Sequence, residues 1–116
     1  MKSNIQIYRG EIWRANLNPT VGREQSGIRP VLILSANNFN QCSADLVVIL
    51  PLTTKNKHII FHVSLMKEDS GLDEDSFIKT EDIRSISKER LITFLGKITD
   101  KEMEMVEDKT RRILGL

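Results

Sequence analysis

The chain has 116 residues, 40% of them hydrophobic and 28% charged, a composition that fits one globular domain over residues 1–116 and excludes collagen-like structure and extensive disorder. The net charge is only +1, yet residues 1–62 carry seven Lys/Arg against three Asp/Glu, while residues 63–116 carry ten against thirteen, which permits a basic face toward a polyanion. No apolar run is long enough to cross a bilayer, and residues 1–6 lack the apolar stretch and cleavage site of a secretory leader, so a cytoplasmic protein without a membrane partner is expected.

In chain order, residues 8–17 hold strand-favouring side chains and stop at the turn residues Asn18-Pro19-Thr20. Next comes Gly22-Arg23-Glu24-Gln25-Ser26-Gly27-Ile28-Arg29-Pro30, a loop whose glycines permit unusual backbone angles and whose charged and amide groups crowd together. By composition it either joins two strands of a hairpin or holds a ligand. Residues 29–35 read as the second strand, with Pro30 near its start, where a ladder donor is not yet needed. Residues 36–43 suggest a loop or short helical turn, and the apolar run of residues 45–54 a buried central strand.

Residues 58–65 alternate, with Ile59, Phe61, Val63 and Leu65 expected on the core face of a strand. Ser70-Gly71 marks a turn, residues 76–80 and 83–87 suggest short strands, and residues 91–98 a longer one interrupted by Gly96. Thr99-Asp100-Lys101-Glu102 is a capping-box sequence, predicting a helix with Met103, Val106, Thr110 and Ile113 on its apolar face and Gly115 as terminator. These elements define a β-rich α+β class: a small, curved antiparallel sheet or partly closed barrel with a C-terminal helix.

Familiar signatures for nucleophilic, phosphate-loop, zinc or calcium chemistry are absent. The single cysteine, Cys42, has no neighbouring base in sequence and excludes an intrachain disulfide. His58 and His62 would stand about 13 Å apart along an extended strand, too far to grip one phosphate together. What remains is the 22–30 loop together with Thr53 and Thr54 at the polar end of the buried strand. Arginine offers a planar fork to phosphate oxygens, a threonine hydroxyl adds a neutral donor, and Glu24 could act as a base. The same residue types also occur at strand ends with no catalytic role, so residue chemistry alone leaves both readings open.

The blocks Arg9-Gly10-Glu11-Ile12-Trp13, Asn18-Pro19-Thr20-Val21-Gly22, Glu24-Gln25-Ser26-Gly27-Ile28-Arg29-Pro30-Val31-Leu32, Pro51-Leu52-Thr53-Thr54 and Glu81-Asp82-Ile83-Arg84-Ser85-Ile86 resemble those of the MazF/PemK-type toxins of bacterial toxin–antitoxin pairs. The resemblance implies a CcdB/PemK-like, SH3-related β-barrel. It also implies a homodimeric, metal-independent endoribonuclease without cofactor that cuts single-stranded RNA at short sequences and is neutralised by a cognate antitoxin whose tail occupies the RNA site. Carried over by motif, Arg29 and Thr53 are the implied catalytic residues, and Glu24 matches the acidic residue of the Glu-Gln pair. The implied reaction is attack of a ribose 2′-hydroxyl on the adjacent phosphate, which DNA cannot undergo. Because a guanidinium holds its proton strongly, Glu24 is expected to accept the proton or to orient Arg29.

Arg23, Gln25, Ser26, Thr54, Lys55 and Asp82 are the expected RNA contacts, with Lys57 as a further guide for the backbone. Arg23 stands where many members carry serine, and Asp82 where many carry glutamine, so both bear on which bases are accepted. Two alternatives on the same fold class are a gyrase-poisoning toxin and a non-enzymatic SH3-like nucleic-acid-binding or protein-binding module. The chain ends in Leu114-Gly115-Leu116, without the aromatic carboxyl end of the gyrase-directed relatives, which disfavours the first.

Overall fold

Alternation and turn chemistry resolve into seven strands and three helices among residues 6–116, which the computed structural model describes; for Asp69 this applies to the backbone alone. Residues 1–5, most of the stretch read as lacking a leader, lie outside the described residues. The strands are β1 (Glu11–Asn16), β2 (Ile28–Ile33), β3 (Leu46–Thr53), β4 (His62–Leu65), β5 (Ser76–Lys79), β6 (Arg84–Ser87) and β7 (Leu91–Lys97). The helices are α1 (Asn37–Asn40), α2 (Lys67–Ser70) and α3 (Asp100–Leu114).

The sheet is antiparallel throughout, in the order β4-β5-β3-β2-β1-β7, with β6 as a further partner of β3. β3 is its centre. One edge of β3 pairs with β2 over Ile49–Pro51, and the other pairs with β6 over Leu46–Ile49 and then with β5 at Leu52 and Thr53. Splitting one edge between two strands turns the sheet, but no ladder joins β4 to β7 among the described residues, so the barrel expected from the family resemblance is an open one.

Both faces of this sheet are buried. Ile12, Leu32, Leu50, Leu52, Val63, Leu65 and Ile78 pack with Met103 and Val106 of α3, whereas Trp13, Ala15, Val31, Ile33, Val47, Ile49 and Ile86 form a second cluster. Successive residues of β3 and of Val31–Ile33 in β2 therefore go to different cores, which is why those stretches are nearly continuous apolar runs rather than alternating ones.

The 58–65 strand is shorter than its alternation predicts. His58 has a positive φ of 55°, its N–H donates to Asn56 Oδ1 at 2.9 Å, and His62 N–H turns back to Ile59 O at 2.9 Å. Those bonds bend the chain, so β4 starts only at His62, Ile60 is 72% exposed, and Val63 and Leu65 alone of the four expected core residues are buried. β1 likewise begins at Glu11 rather than residue 8, because Glu11 N–H closes a turn onto Tyr8 O at 3.1 Å and Gly10 takes φ 92°.

α3 follows its sequence cues closely. Thr99 accepts from Glu102 N at 3.1 Å while Glu102 Oε1 accepts from Thr99 N at 2.9 Å, and Gly115 ends the helix in the left-handed region. Arg9 joins it to the sheet by an ion pair with Glu107 at 2.8 Å and a bond from Nε to Leu34 O at 3.0 Å. Among the described residues no helix is long and apolar enough to cross a membrane.

Two stability outcomes follow. A Cβ at Gly96 would lie 2.0 Å from Ser70 O, a backbone atom, so Gly96→Ala is expected to cost about 1–3 kcal/mol and to lower the thermal midpoint by several degrees. Thr99→Ala should cost about 1 kcal/mol while Thr99→Ser stays near wild type, checked by chemical denaturation.

Candidate nucleic-acid interface

β2 and β3 end side by side, and they carry Arg29 and Thr53 at those ends. Val31 pairs with Pro51, and two residues further along the same antiparallel register lie Arg29 on β2 and Thr53 on β3. Matching positions on adjacent strands put both side chains on one face of the sheet. Arg29 is exposed, with Nε donating to Ser26 O at 3.1 Å, a bond that directs the guanidinium from its backbone side. Thr53 is 6% exposed, and its Oγ1 accepts the Lys55 N–H at 3.2 Å, which leaves its own O–H as a donor. Thr54 and Lys55 follow it on the surface.

The 22–30 loop is tied down from several sides. Leu17 N–H donates to Gly27 O at 2.9 Å, and Gly27 N–H donates to Asn18 Oδ1 at 3.1 Å, with Gly27 at φ 86°. Glu24 closes its own turn: Oε1 accepts Val21 N–H at 2.8 Å. Among the described residues no ion pair joins Glu24 to Arg29, so the orienting contact expected between them is not formed in this structure. Arg23 and Ser26 are exposed on the same loop.

Gln25 and Asp82, both expected to contact RNA, bond to each other: Gln25 N–H donates to Asp82 Oδ2 at 2.8 Å. Lys79, at the end of β5 and 6% exposed, places Nζ 3.2 Å from Gln25 Oε1 and 3.6 Å from Asp82 Oδ2. Asp82 belongs to a single 3-10 turn, Thr80–Asp82, in which every residue holds a different segment. Thr80 Oγ1 donates to Phe61 O at 2.6 Å, Glu81 Oε2 lies 2.8 Å from His62 Nε2, and Asp82 holds the loop.

Above this turn opens a cleft of about 450 Å³ lined by Arg23, Glu24, Lys57, Ile59, Lys79, Glu81 and Asp82. It brings Arg23, Glu24 and Asp82 together, and it leaves Arg29 and Thr53 outside its lining. His58 is exposed in the preceding loop and His62 is buried against Glu81, so the two histidines share no site. Sequence reasoning missed Lys79 and Glu81. The available signal was a lysine following Ile78 inside a short strand, a charge where an edge or a partner is required.

Comparison with known proteins bears on this geometry. The profile of the "PemK-like, MazF-like toxin of type II toxin-antitoxin system" matches residues 8–114. The chain is 38% identical over 109 residues to the endoribonuclease MazF of Staphylococcus saprophyticus, covering 93% of this chain and 91% of that one. Among solved structures it resembles MazF from Deinococcus radiodurans, with TM-score 0.86, 25% identity and coverage of 97% and 100% of the two chains. It also resembles a mycobacterial endoribonuclease in complex with its cognate antitoxin, with TM-score 0.75, 26% identity and coverage of 95% and 94%. With the family profile matched over residues 8–114 and a relative 38% identical over 93% of its length, the chain belongs to the PemK-like, MazF-like toxin family of type II toxin–antitoxin systems.

Proposed function

We propose that this toxin is a metal-independent endoribonuclease that cuts single-stranded RNA at a short sequence, by attack of the 2′-hydroxyl on the adjacent phosphate. Endoribonuclease activity as such is supported by its family and by the relative named as endoribonuclease MazF. The observation that supports the mechanism is the β2–β3 register, which, continued two residues past Val31 and Pro51, aligns Arg29 with Thr53 at the ends of the two strands.

In that reading the Arg29 guanidinium neutralises charge gathering on the phosphorane oxygens, and the Thr53 hydroxyl donates to the same group. The Lys55 N–H bond aims the hydroxyl, since it occupies an acceptor lone pair of Oγ1 and leaves the proton for the phosphate. Glu24 takes the 2′-hydroxyl proton. As the O2′–P bond forms the P–O5′ bond breaks, the leaving 5′-oxygen takes a proton from water, and a 2′,3′-cyclic phosphate and a 5′-hydroxyl result. Arg23, Ser26, Thr54 and Lys55, exposed around the two strand ends, hold the RNA on either side. The protein works in the cytoplasm as one domain in a homodimer, and a cognate antitoxin is its protein partner, in line with the toxin–antitoxin complexes among its structural neighbours.

Arg29→Ala is expected to lower kcat about 100- to 1000-fold, and Thr53→Ala should fall in the same range while Thr53→Ser recovers most of the rate. Glu24→Gln is expected to lose about 100-fold or more, as for removal of a general base. Single-turnover cleavage of a defined RNA measures all four, and full turnover by the Glu24 variant would remove that residue from the proton path. A second measurement uses an RNA with one 2′-deoxy nucleotide at the cut site. Cleavage should stop there and continue at unmodified sites; cleavage at the deoxy position would rule out 2′-hydroxyl attack.

A further inference from the structure

We propose that Lys79 and Asp82 are positioning residues, a buried ionic latch that grips Gln25 and thereby sets where the 22–30 loop presents Arg29 to the phosphate. The proposal rests on the endoribonuclease reading and adds to it two residues that act through the loop rather than on RNA.

The geometry is closed on both sides of Gln25. Its backbone N–H donates to Asp82 Oδ2 at 2.8 Å, and its side-chain oxygen Oε1 accepts from Lys79 Nζ at 3.2 Å. Lys79 Nζ and Asp82 Oδ2 are themselves 3.6 Å apart, with side chains 7% and 14% exposed. A lysine ammonium with so little exposed surface needs acceptors, and the loop supplies one while the turn supplies the other. The consequence is that the loop cannot shift without stripping a partner from a buried cation. Gln25 lies between Glu24 and Ser26, and Ser26 O is the acceptor that directs Arg29 Nε. A fixed Gln25 therefore fixes both the proposed base and the backbone oxygen behind the proposed catalytic arginine.

The turn that carries Asp82 is anchored independently. Thr80 is bound to Phe61 O and Glu81 to His62, a residue whose side chain is 4% exposed and which pairs across the sheet with Lys79. The latch is thus mounted on β5 and the turn that follows it, braced by β4, and the loop is held by those elements as well as by its own strand.

Breaking one partner would leave a lone buried charge and confuse positioning with folding, so the test compares two double variants that each remove both charges. Lys79→Met/Asp82→Leu removes the acceptor for Gln25 N–H; Lys79→Met/Asp82→Asn restores an oxygen in its place. The Leu form should lose roughly 100-fold in kcat with a smaller change in KM, the order that a misplacement of about 1 Å costs, and the Asn form should regain at least about tenfold of that loss. Equal rates and cut sites for the two forms, whether both high or both low, would overturn the latch. Amide exchange by NMR on the wild-type protein tests it without any variant or RNA: Gln25 should exchange at least about tenfold more slowly than Arg23 and Ser26. A Gln25 amide as fast as its neighbours would overturn the latch even if RNA is cut, whereas wild-type protein that leaves RNA intact with Gln25 protected would count against the proposed reaction and not against the latch.

Discussion

The backbone of β3 is satisfied by three partners along one strand, and the places where those partners begin and end decide what becomes core and what becomes site. A buried strand must pair its N–H and C=O groups on both edges, because each unpaired group costs about as much as a lost hydrogen bond. β6 serves one edge over Leu46–Ile49, β5 takes over at Leu52 and Thr53, and β2 covers the middle of the other edge. The handover from β6 to β5 bends the sheet, while the strand's own alternation sends Leu50 and Leu52 to the helix-side core and Val47 and Ile49 to the second. Beyond Pro51 the ladder between β2 and β3 stops, and the same register continued two residues further brings Arg29, still paired to Ala15 of β1, level with Thr53, still paired to Phe77 of β5.

The connection between β5 and β6 is the other part of that handover. It consists of the Thr80–Asp82 turn and Ile83, so chain connectivity alone puts the turn alongside Leu50 and Pro51 of β3, between its ladders with β6 and β5. Its three side chains then tie β4, the segment before it and the 22–30 loop into one frame around the cleft. The site is built on sheet ends and a pinned loop, an arrangement that holds charged groups in place before a substrate arrives.

What the sequence disclosed followed the range of the interactions concerned. Thr99, Glu102 and Gly115 act within one helical turn of their own positions, and the helix they predict is the one observed. The run ending at Thr53 was legible as a buried strand because both its faces are apolar. Residues 58–61 were not, since the alternation of Ile59 and Phe61 imitates a strand while the bond from His58 N–H to Asn56 and the turn at Ile59 oppose one. The catalytic assignment of Arg29, Thr53 and Glu24 came from family resemblance rather than spacing. Glu24 and Arg29 are neighbours in sequence, yet each bonds within its own turn. Lys79 escaped notice because its partner Gln25 is 54 residues away, a separation across which no local pattern signals contact.

A binding module of this shape would need neither a hydroxyl aimed by a backbone donor nor an arginine beside it, and the central claim is that these two groups serve a phosphate under attack by its own ribose. The chemistry of the ends reports this most directly. Purified protein is incubated with a long RNA of known sequence in the presence of EDTA, and the termini of the fragments are mapped. Cuts are expected at one short sequence, each leaving a 5′-hydroxyl and a 2′,3′-cyclic phosphate or its hydrolysis product. Intact RNA, or fragments bearing 5′-phosphates, would contradict it.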